Sequence, residues 1–186
     1  MSKLANKVAV VTGASKGIGA SIAQHLAAEG ASVVMNYSTS KEGAEKVVKA
    51  IVSAGGKAVA VAAYLTHEAE VRALFDATKQ QYGRVDILVN NAGHYTFARS
   101  EGITSEPYHR LYDTNVLALL LVTKAALDLF PVSGGSVINI GSAVSALTPQ
   151  WLPCTLAPGP LSMRSHERLR RNSRHTTYGS TASTQA

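Results

Sequence analysis

Residues 12–19 read T-G-A-S-K-G-I-G, a glycine-rich segment from which the architecture of the chain can be predicted. It follows a short β-branched run, K-V-A-V-V-T, and precedes a segment, 18–29, whose apolar residues recur at the spacing of one helix face. Gly13 permits a tight turn, while Gly17 and Gly19 let a diphosphate approach the backbone at the helix start. An ordinary glycine-rich loop is the alternative. The strand before it and the helix after it are the context that dinucleotide binding requires.

Strand-like and helix-like segments alternate along the chain from this loop. The predicted strands are 7–12, 31–36, 57–62, 85–90 and 135–140, and the predicted helices are 18–29, 41–54, 67–82 and 104–130, the last interrupted near Pro107. This alternation predicts an α/β fold, a doubly wound parallel sheet of the Rossmann type with right-handed crossovers. Ligands bind such sheets at the carboxyl ends of the strands.

The alternating pattern stops after Thr148. Four prolines fall within residues 149–160, and residues 164–174 are rich in arginine without an apolar face. We expect no strand and at best a weak helix there. Residues 1–148 are therefore predicted to form a dinucleotide-binding domain whose sheet is incomplete at its C-terminal edge. Residues 149–186 are predicted to form an irregular basic tail.

The composition is that of one globular domain. Of the 186 residues, 46% are apolar and 16% are charged, which suits a single α/β domain with a core. No apolar run reaches the roughly 18 residues of a membrane span, and residues 1–7 lack the apolar stretch of a secretory leader. The lone Cys154 can form neither an internal disulfide nor a metal cage. By elimination, we expect a cytoplasmic protein with no membrane partner and no metal site.

The net charge of +6 is concentrated near the C-terminus. Residues 1–150 carry 13 basic and 11 acidic side chains, whereas residues 151–186 carry five arginines and one glutamate. A basic arm can bind nucleic acid, but this one has no recognisable recognition helix and no interleaved aromatic residues. We therefore expect no nucleic-acid partner.

The end of the second predicted strand bears on the choice of dinucleotide. An NAD site usually has Asp or Glu there to bind the ribose hydroxyls. Residues 36–41, N-Y-S-T-S-K, contain no carboxylate, and Lys16 lies in the glycine loop. A 2′-phosphate would meet a cation and hydroxyl donors, which favours NADP over NAD. The alternative is that Lys16 is simply solvated.

With these motifs the chain resembles the short-chain dehydrogenase/reductase family over about residues 5–148. The glycine loop is similar to the family's T-G-x-x-x-G-x-G, and N-N-A-G at 90–93 to its signature after the fourth strand. Asn115 matches the family's helix asparagine, which holds a water of the proton relay, and Ser142 matches the serine that hydrogen-bonds the substrate carbonyl. Each residue alone has an ordinary explanation, but four motifs in the right order favour the family. The similarity is greatest to 3-oxoacyl-reductases and glucose dehydrogenases.

The resemblance implies hydride transfer between NADP(H) and a small carbonyl or alcohol substrate, with Asn115 and Ser142 as catalytic residues. The implied cofactor-binding residues are Gly13, Ser15, Lys16, Gly17, Ile18, Gly19, Tyr37, Ser38, Leu65, Asn90, Ala92, Gly93 and Ile140. One departure lies after the third strand, where the family has an Asp that meets the adenine amino group. This chain has Tyr64-Leu65 there, which supplies no carboxylate.

A second departure is the absence of the family's Tyr-x-x-x-Lys pair after Ser142. The lysine and the cofactor lower the tyrosine pKa from about 10 so that the hydroxyl can exchange a proton, and the spacing puts both residues on one helix face. Tyr178 is followed four residues later by Ala182. Tyr37 and Lys41 have the spacing but follow the second strand, far from a hydride acceptor. We therefore expect this chain to be an oxidoreductase of the family that has lost its activity. The alternative is a non-catalytic module that binds a dinucleotide.

A shifted reading frame would account for the missing tyrosine, although the fourth residue after it cannot be lysine in that frame. Read from the third base of each codon, residues 150–160 can encode V-A-S-V-Y-T-G-T-R-A, residues 162–173 A-V-T-R-T-L-A-K-E-L, and residues 179–186 V-N-G-I-N-P-G. Each resembles the family's C-terminal part in order, which predicts a frame slip near residue 149. Without that part the fifth strand is expected to be a bare edge, which predicts low solubility. The family is usually homo-oligomeric, but the loss of its interface helix argues against that here.

Overall fold

A sheet with helices on both faces dominates the computed structural model, which describes residues 2–95, 104–141 and 166–169. The strands are β1 (Val8–Val11), β2 (Ser32–Tyr37), β3 (Lys57–Ala62), β4 (Ile87–Asn90), β5 (Gly135–Asn139) and β6 (His166–Leu169). The helices are α1 (Gly17–Ala28), α2 (Lys41–Ser53), α3 (Glu68–Tyr82), α4 (Ser105–Tyr112) and α5 (Ala118–Leu127). A π-helical segment, Asp113–Leu117, joins α4 to α5.

The strand order in the sheet is β3-β2-β1-β4-β5-β6. The first five strands pair in parallel, which confirms the predicted doubly wound α/β fold. From β1 the chain first builds outward through β2 and β3, and then returns to place β4 on the other side of β1. Sheets that reverse direction in this way leave a crevice at the carboxyl ends of the two central strands. Here those strands are β1 and β4.

Alternate residues of the central strands face two separate cores. In β1, Ala9 and Val11 pack with Ala23 of α1 on one face of the sheet, and Val10 packs with Leu74 of α3 on the other. All five side chains have a relative exposure of 0%. Burial on both faces explains why the strand sequences are apolar throughout and do not alternate with polar residues. Burying each Val or Leu contributes about 1.5–3 kcal/mol.

The helical region after residue 104 differs from the prediction in where it is interrupted. Pro107 lies in the first turn of α4 and does not break it. Proline is tolerated there because the N–H that it lacks would have no intrahelical acceptor. The interruption is instead the π-helical segment Asp113–Leu117. Its hydrogen bonds span one residue more than those of an α-helix. The prediction of a break near Pro107 was therefore wrong.

The region after Thr148 contains a strand, contrary to expectation. β6 pairs antiparallel with β5, with Gly135 opposite Leu169 and Ile138 opposite His166. The expectations of no strand after Thr148 and of a bare β5 edge were therefore wrong. The ladder joins backbone N–H and C=O groups, which every residue but proline supplies. The sequence H-E-R-L can therefore pair with β5 although it lacks the alternation of apolar and polar residues that is typical of a strand.

One buried carboxylate ties β1 to the residues before β4 at the amino ends of the strands. Asp86, 6% exposed, accepts hydrogen bonds from the backbone N–H of Val8 at 2.9 Å and from Nε of Arg84 at 2.9 Å. Nζ of Lys7 lies 3.1 Å from the other carboxylate oxygen. This cluster lies at the amino ends of the strands, whereas the crevice lies at their carboxyl ends. The cluster therefore affects stability without contacting the site.

We expect Asp86→Asn to lower the free energy of unfolding by roughly 2 kcal/mol, the scale of one buried hydrogen bond to a charged group. Urea denaturation followed by circular dichroism measures the change. Arg110→Ala is the control, because it breaks the exposed Glu106–Arg110 pair and should change stability by less than about 0.5 kcal/mol. An unchanged urea midpoint for Asp86→Asn would contradict the stabilising role.

Candidate functional site

The glycine loop between β1 and α1 takes a conformation that needs glycine. Gly13 and Gly17 have φ values of +61° and +57°, in the left-handed region that residues with a Cβ rarely adopt. A Cβ on Gly13 would also lie 2.9 Å from Cα of Ala92, and a Cβ on Gly19 would lie 2.6 Å from the carbonyl oxygen of Gly13. The loop therefore folds back on itself and against the segment after β4.

The N-terminus of α1 presents backbone amides to the crevice. Lys16 precedes the helix in an extended conformation, and within the described part of the chain no side chain caps the first turn, which has no acidic residue. The first N–H groups of an α-helix lack intrahelical acceptors, and the helix dipole adds partial positive charge there. Lys16 and Ile18 are exposed and Ser15 is half-buried. Residues 15–18 are thus accessible at the N-terminus of α1, a feature that suits an anion, whereas Gly19 is buried.

The hydroxyl of Thr12 joins the glycine loop to the N-N-A-G turn. It accepts hydrogen bonds from the backbone N–H groups of Asn91 and Ala92, both at 2.9 Å, and donates to the carbonyl oxygen of Val89 at 3.3 Å. The side chain of Asn91 donates in return to the carbonyl oxygens of Thr12 at 2.9 Å and Gly13 at 3.1 Å. These five bonds hold the carboxyl ends of β1 and β4 in one fixed arrangement.

Asn90 extends this arrangement to β5. Its Nδ2 donates to Oδ1 of Asn139 at 2.8 Å and to Oγ1 of Thr123 at 3.1 Å. The N–H of Ile140 donates to the carbonyl oxygen of Asn90 at 2.9 Å. Ile140 itself is 36% exposed, just after the carboxyl end of β5. Asn90 is therefore a buried link between β4, α5 and the end of β5.

Asn115 lies in the π-helical segment and holds the backbone after the N-N-A-G turn. Its Oδ1 accepts from the N–H of His94 at 2.8 Å, and its Nδ2 donates to the carbonyl oxygen of His94 at 2.7 Å. A Cβ on Gly93 would lie 3.4 Å from the same Oδ1. Both polar atoms of the side chain thus position the loop. Ser142, the other predicted catalytic residue, lies outside the described residues.

The segment after β2 lies beside the glycine loop. Tyr37 ends β2 half-buried, and Ser38 follows it exposed. A Cβ on Gly43 would lie 2.8 Å from the carbonyl oxygen of Ser15, so the first turn of α2 packs directly on the loop. Lys41 is the first residue of α2, whereas Tyr37 belongs to the strand. This pair therefore does not share a helix face, as the family's Tyr-x-x-x-Lys would.

The remaining predicted cofactor-binding residue, Leu65, lies shortly after β3. Leu65 packs against the core on the α3 side of the sheet and lines a small cavity with Thr12, Asn90 and Ala92. Tyr64 before it is 48% exposed. The N–H of Tyr64 donates to Oε2 of Glu70 at 2.7 Å. This hydrogen bond and a second from His67 hold the pKa of the Glu70 carboxyl below its ordinary value.

Three residues that the sequence analysis did not assign to the site contribute to its geometry. Thr12 lies in the glycine loop and Asn91 in the N-N-A-G turn. The available signal was that each is a polar residue placed between a buried strand and a glycine. Asn36 lies at the end of β2, is 2% exposed, and accepts the N–H of Gly13 on Oδ1 at 3.3 Å. The available signal was an uncharged polar residue directly after the apolar run V-V-M of β2.

Within residues 2–95, 104–141 and 166–169, no group of His, Cys, Asp and Glu residues could hold a metal ion. In the same ranges, every helix is too short or too polar to cross a bilayer.

The Glu70 contact makes the loop before α3 sensitive to acid. Because the folded-state pKa of Glu70 lies below its unfolded value, the contact is complete above the unfolded pKa of about 4.3 and is lost as pH falls through the folded pKa. We expect the hydrogen-exchange protection of the Tyr64 amide, corrected for intrinsic rate, to fall in that range. Glu70→Gln should lower the protection at neutral pH and remove its pH dependence. Glu68→Gln, on the same helix turn, is the control; the same loss in both variants would count against this contact.

The chain matches the family model described as short chain dehydrogenase over residues 7–153. An uncharacterized oxidoreductase of Methylorubrum extorquens is 57% identical over 145 residues, covering 78% of this chain and 58% of that protein. A hydroxynaphthalene reductase-like protein of Metarhizium majus is 39% identical over 145 residues, covering 78% and 54%. The chain thus spans little more than half the length of these two relatives.

Similarity to solved structures covers the same part of the fold. A short chain dehydrogenase from Burkholderia cenocepacia, in complex with NADP, matches with a TM-score of 0.80 and 34% identity, covering 87% of this chain and 65% of that one. The chain therefore belongs to the short-chain dehydrogenase family of oxidoreductases.

Proposed function

We propose that this chain binds NADP(H) in the crevice between the carboxyl ends of β1 and β4. The observation that carries the proposal is the uncapped N-terminus of α1 beside the glycine loop, which Thr12 and Asn91 hold against the N-N-A-G turn. A diphosphate needs backbone N–H donors and room close to the main chain. Gly17 offers that room, since a Cβ there would have no neighbour within 4 Å.

Preference for NADP over NAD rests on the charges around the crevice. Residues 36–41, at the end of β2, contain no carboxylate. Lys16 is exposed beside the first turn of α1, and Glu45, in α2, is engaged by Lys41 at 3.7 Å. A 2′-phosphate would therefore meet hydroxyls and cations. The NADP bound by the Burkholderia relative is in line with this preference.

For the reaction, we propose the chemistry of the family: hydride transfer between NADP(H) and a small carbonyl or alcohol substrate. The nicotinamide ring supplies or takes the hydride when the dinucleotide is bound. Asn115 would keep the loop after the N-N-A-G turn in place through its two bonds to His94, and Ser142 would hydrogen-bond the substrate oxygen. The family's proton donor has no counterpart in the sequence after Ser142.

We propose further that residues 149–186 are read in a shifted frame and that this chain binds the dinucleotide without turning it over. The family model stops at residue 153, close to the predicted slip. The shifted translation restores family-like stretches, which supports the same interpretation. The non-catalytic binding module is thus the function proposed for the chain as it stands.

The binding proposal is tested with a pair of glycine variants. Gly17→Val would fill the space proposed for the diphosphate, so the Kd for NADPH should rise by at least about 100-fold, equivalent to about 2.8 kcal/mol. Gly55→Val is a matched control, because Gly55 also has a positive φ of +84° and an open Cβ position but lies after α2. Fluorescence titration of NADPH and NADH measures both, and wild type should prefer NADPH by about tenfold. Equal loss in both variants, or wild-type protein that is folded and binds neither dinucleotide, would contradict the proposal.

Turnover is tested separately. Oxidation of NADPH with a panel of ketones should stay near background, because loss of one member of a catalytic unit removes most of the rate. A gene in which the frame near residue 149 is shifted by one base restores the tyrosine but not the lysine, so oxidation should rise above that of the present chain and stay below that of an enzyme with the complete pair. Turnover by the present chain would show that the proton comes from another residue, and a shifted gene product without activity would count against the frame slip.

A further inference from the structure

Asn36 is a buried amide whose hydrogen bonds join three segments. It lies next to the end of β2 with 2% relative exposure. Its Oδ1 accepts the N–H of Gly13 at 3.3 Å, and its Nδ2 donates to the carbonyl oxygens of Ala63 at 3.0 Å and Tyr37 at 3.3 Å. One side chain thus links the glycine loop, the end of β2 and the first residue after β3.

Backbone bonds on both sides reinforce this link. The N–H of Ala14 donates to the carbonyl oxygen of Asn36 at 2.9 Å, and the N–H of Ala63 donates to that of Tyr37 at 2.9 Å. Only a carboxamide can both accept from one neighbour and donate to two carbonyls at this position. A carboxylate would face those carbonyls without a proton to donate, and an apolar side chain would leave buried groups unpaired.

We propose that the Asn36 carboxamide is a positioning residue for the dinucleotide, an inference that rests on the proposed function. In sheets of this type the diphosphate lies on the glycine loop and the adenosine ribose at the end of the second strand. Asn36 lies between these two places and bonds to the backbone of both. It therefore sets the distance between the surface for the diphosphate and the surface for the adenosine.

A role in positioning differs from a role in stability alone. A dinucleotide touches both surfaces at once, so its affinity depends on their spacing as well as on each contact. A fragment that touches only the surface at β2 and β3 does not depend on that spacing. Loss of the Asn36 link should weaken the dinucleotide selectively, whereas general loosening of the fold would weaken both ligands or neither.

The test compares NADPH with adenosine, which lacks the 2′-phosphate proposed to reach Lys16, on Asn36→Ser and Asn36→Asp. Serine is neutral and too short to bridge, and aspartate keeps the shape but cannot donate, so agreement between them excludes a pure charge effect. Both should raise the Kd for NADPH by about tenfold, equivalent to about 1.4 kcal/mol, and leave that for the fragment within about twofold. Thr78→Val is the matched control: it removes another buried hydrogen bond, from Thr78 to Leu74 at 2.8 Å on α3, and should change neither Kd.

The outcomes separate this inference from the proposed function. Wild type that binds no dinucleotide overturns both. Variants that bind NADPH as wild type does, or that lose NADPH and fragment equally, overturn only the positioning role. If neither variant folds, the side-chain NH₂ resonances of Asn36 in wild type decide: a shift together with the Gly13 amide on NADPH addition supports the role, and unchanged NH₂ resonances overturn it.

Discussion

Every part of the site depends on the contact between the carboxyl ends of β1 and β4. Thr12 is 1% exposed, and its hydroxyl accepts two backbone N–H groups of the N-N-A-G turn while donating to Val89. A hydroxyl can do this because it carries both a donor hydrogen and two acceptor lone pairs. The bond network places the turn against the glycine loop before any ligand arrives. Binding energy is therefore not spent on ordering these segments.

The walls of the crevice are made mostly of backbone. The loop touches Ala92 at Gly13, its own carbonyl at Gly19, and the first turn of α2 through Ser15 and Gly43. Close approach of main chains requires residues without a Cβ. Such a surface offers N–H and C=O groups at fixed positions, whereas long side chains would first have to be immobilised. Such a surface suits a ligand that carries a doubly charged diphosphate.

The fold was largely predictable because its two main signals, short apolar runs for the strands and apolar residues at helical spacing for the helices, are both local in the sequence. The strand at 57–62 agrees with the observed β3, and the buried runs around Val10 and Val34 could only be central strands. Two features were not predictable. The π-helical turn at Asp113–Leu117 contains no proline or glycine from which it could be predicted. The pairing of β6 with β5 depends on backbone groups and not on side-chain pattern.

The site was predictable as far as its motifs reach. Glycines and asparagines at fixed spacing identified the loop and the turn, because their chemistry needs those residue types. Asn36 is a polar residue after an apolar run, which marks it as unusual but does not reveal its role, since that role depends on contacts with Gly13 and Ala63 that form only on folding. Residues that meet only through such long-range contacts show no fixed spacing in the sequence by which they could be recognised.

The π-helical turn also sets how the two halves of the long helical region face the protein. An α-helix rotates by about 100° per residue, so one residue accommodated in a widened turn offsets the face of α5 from that of α4 by about this angle. Asn115 can then face His94 while Val122 and Ala126 face the sheet core. Deleting a single residue here would leave a more regular helix, yet it would swing either the asparagine away from the crevice or the aliphatic stripe into water.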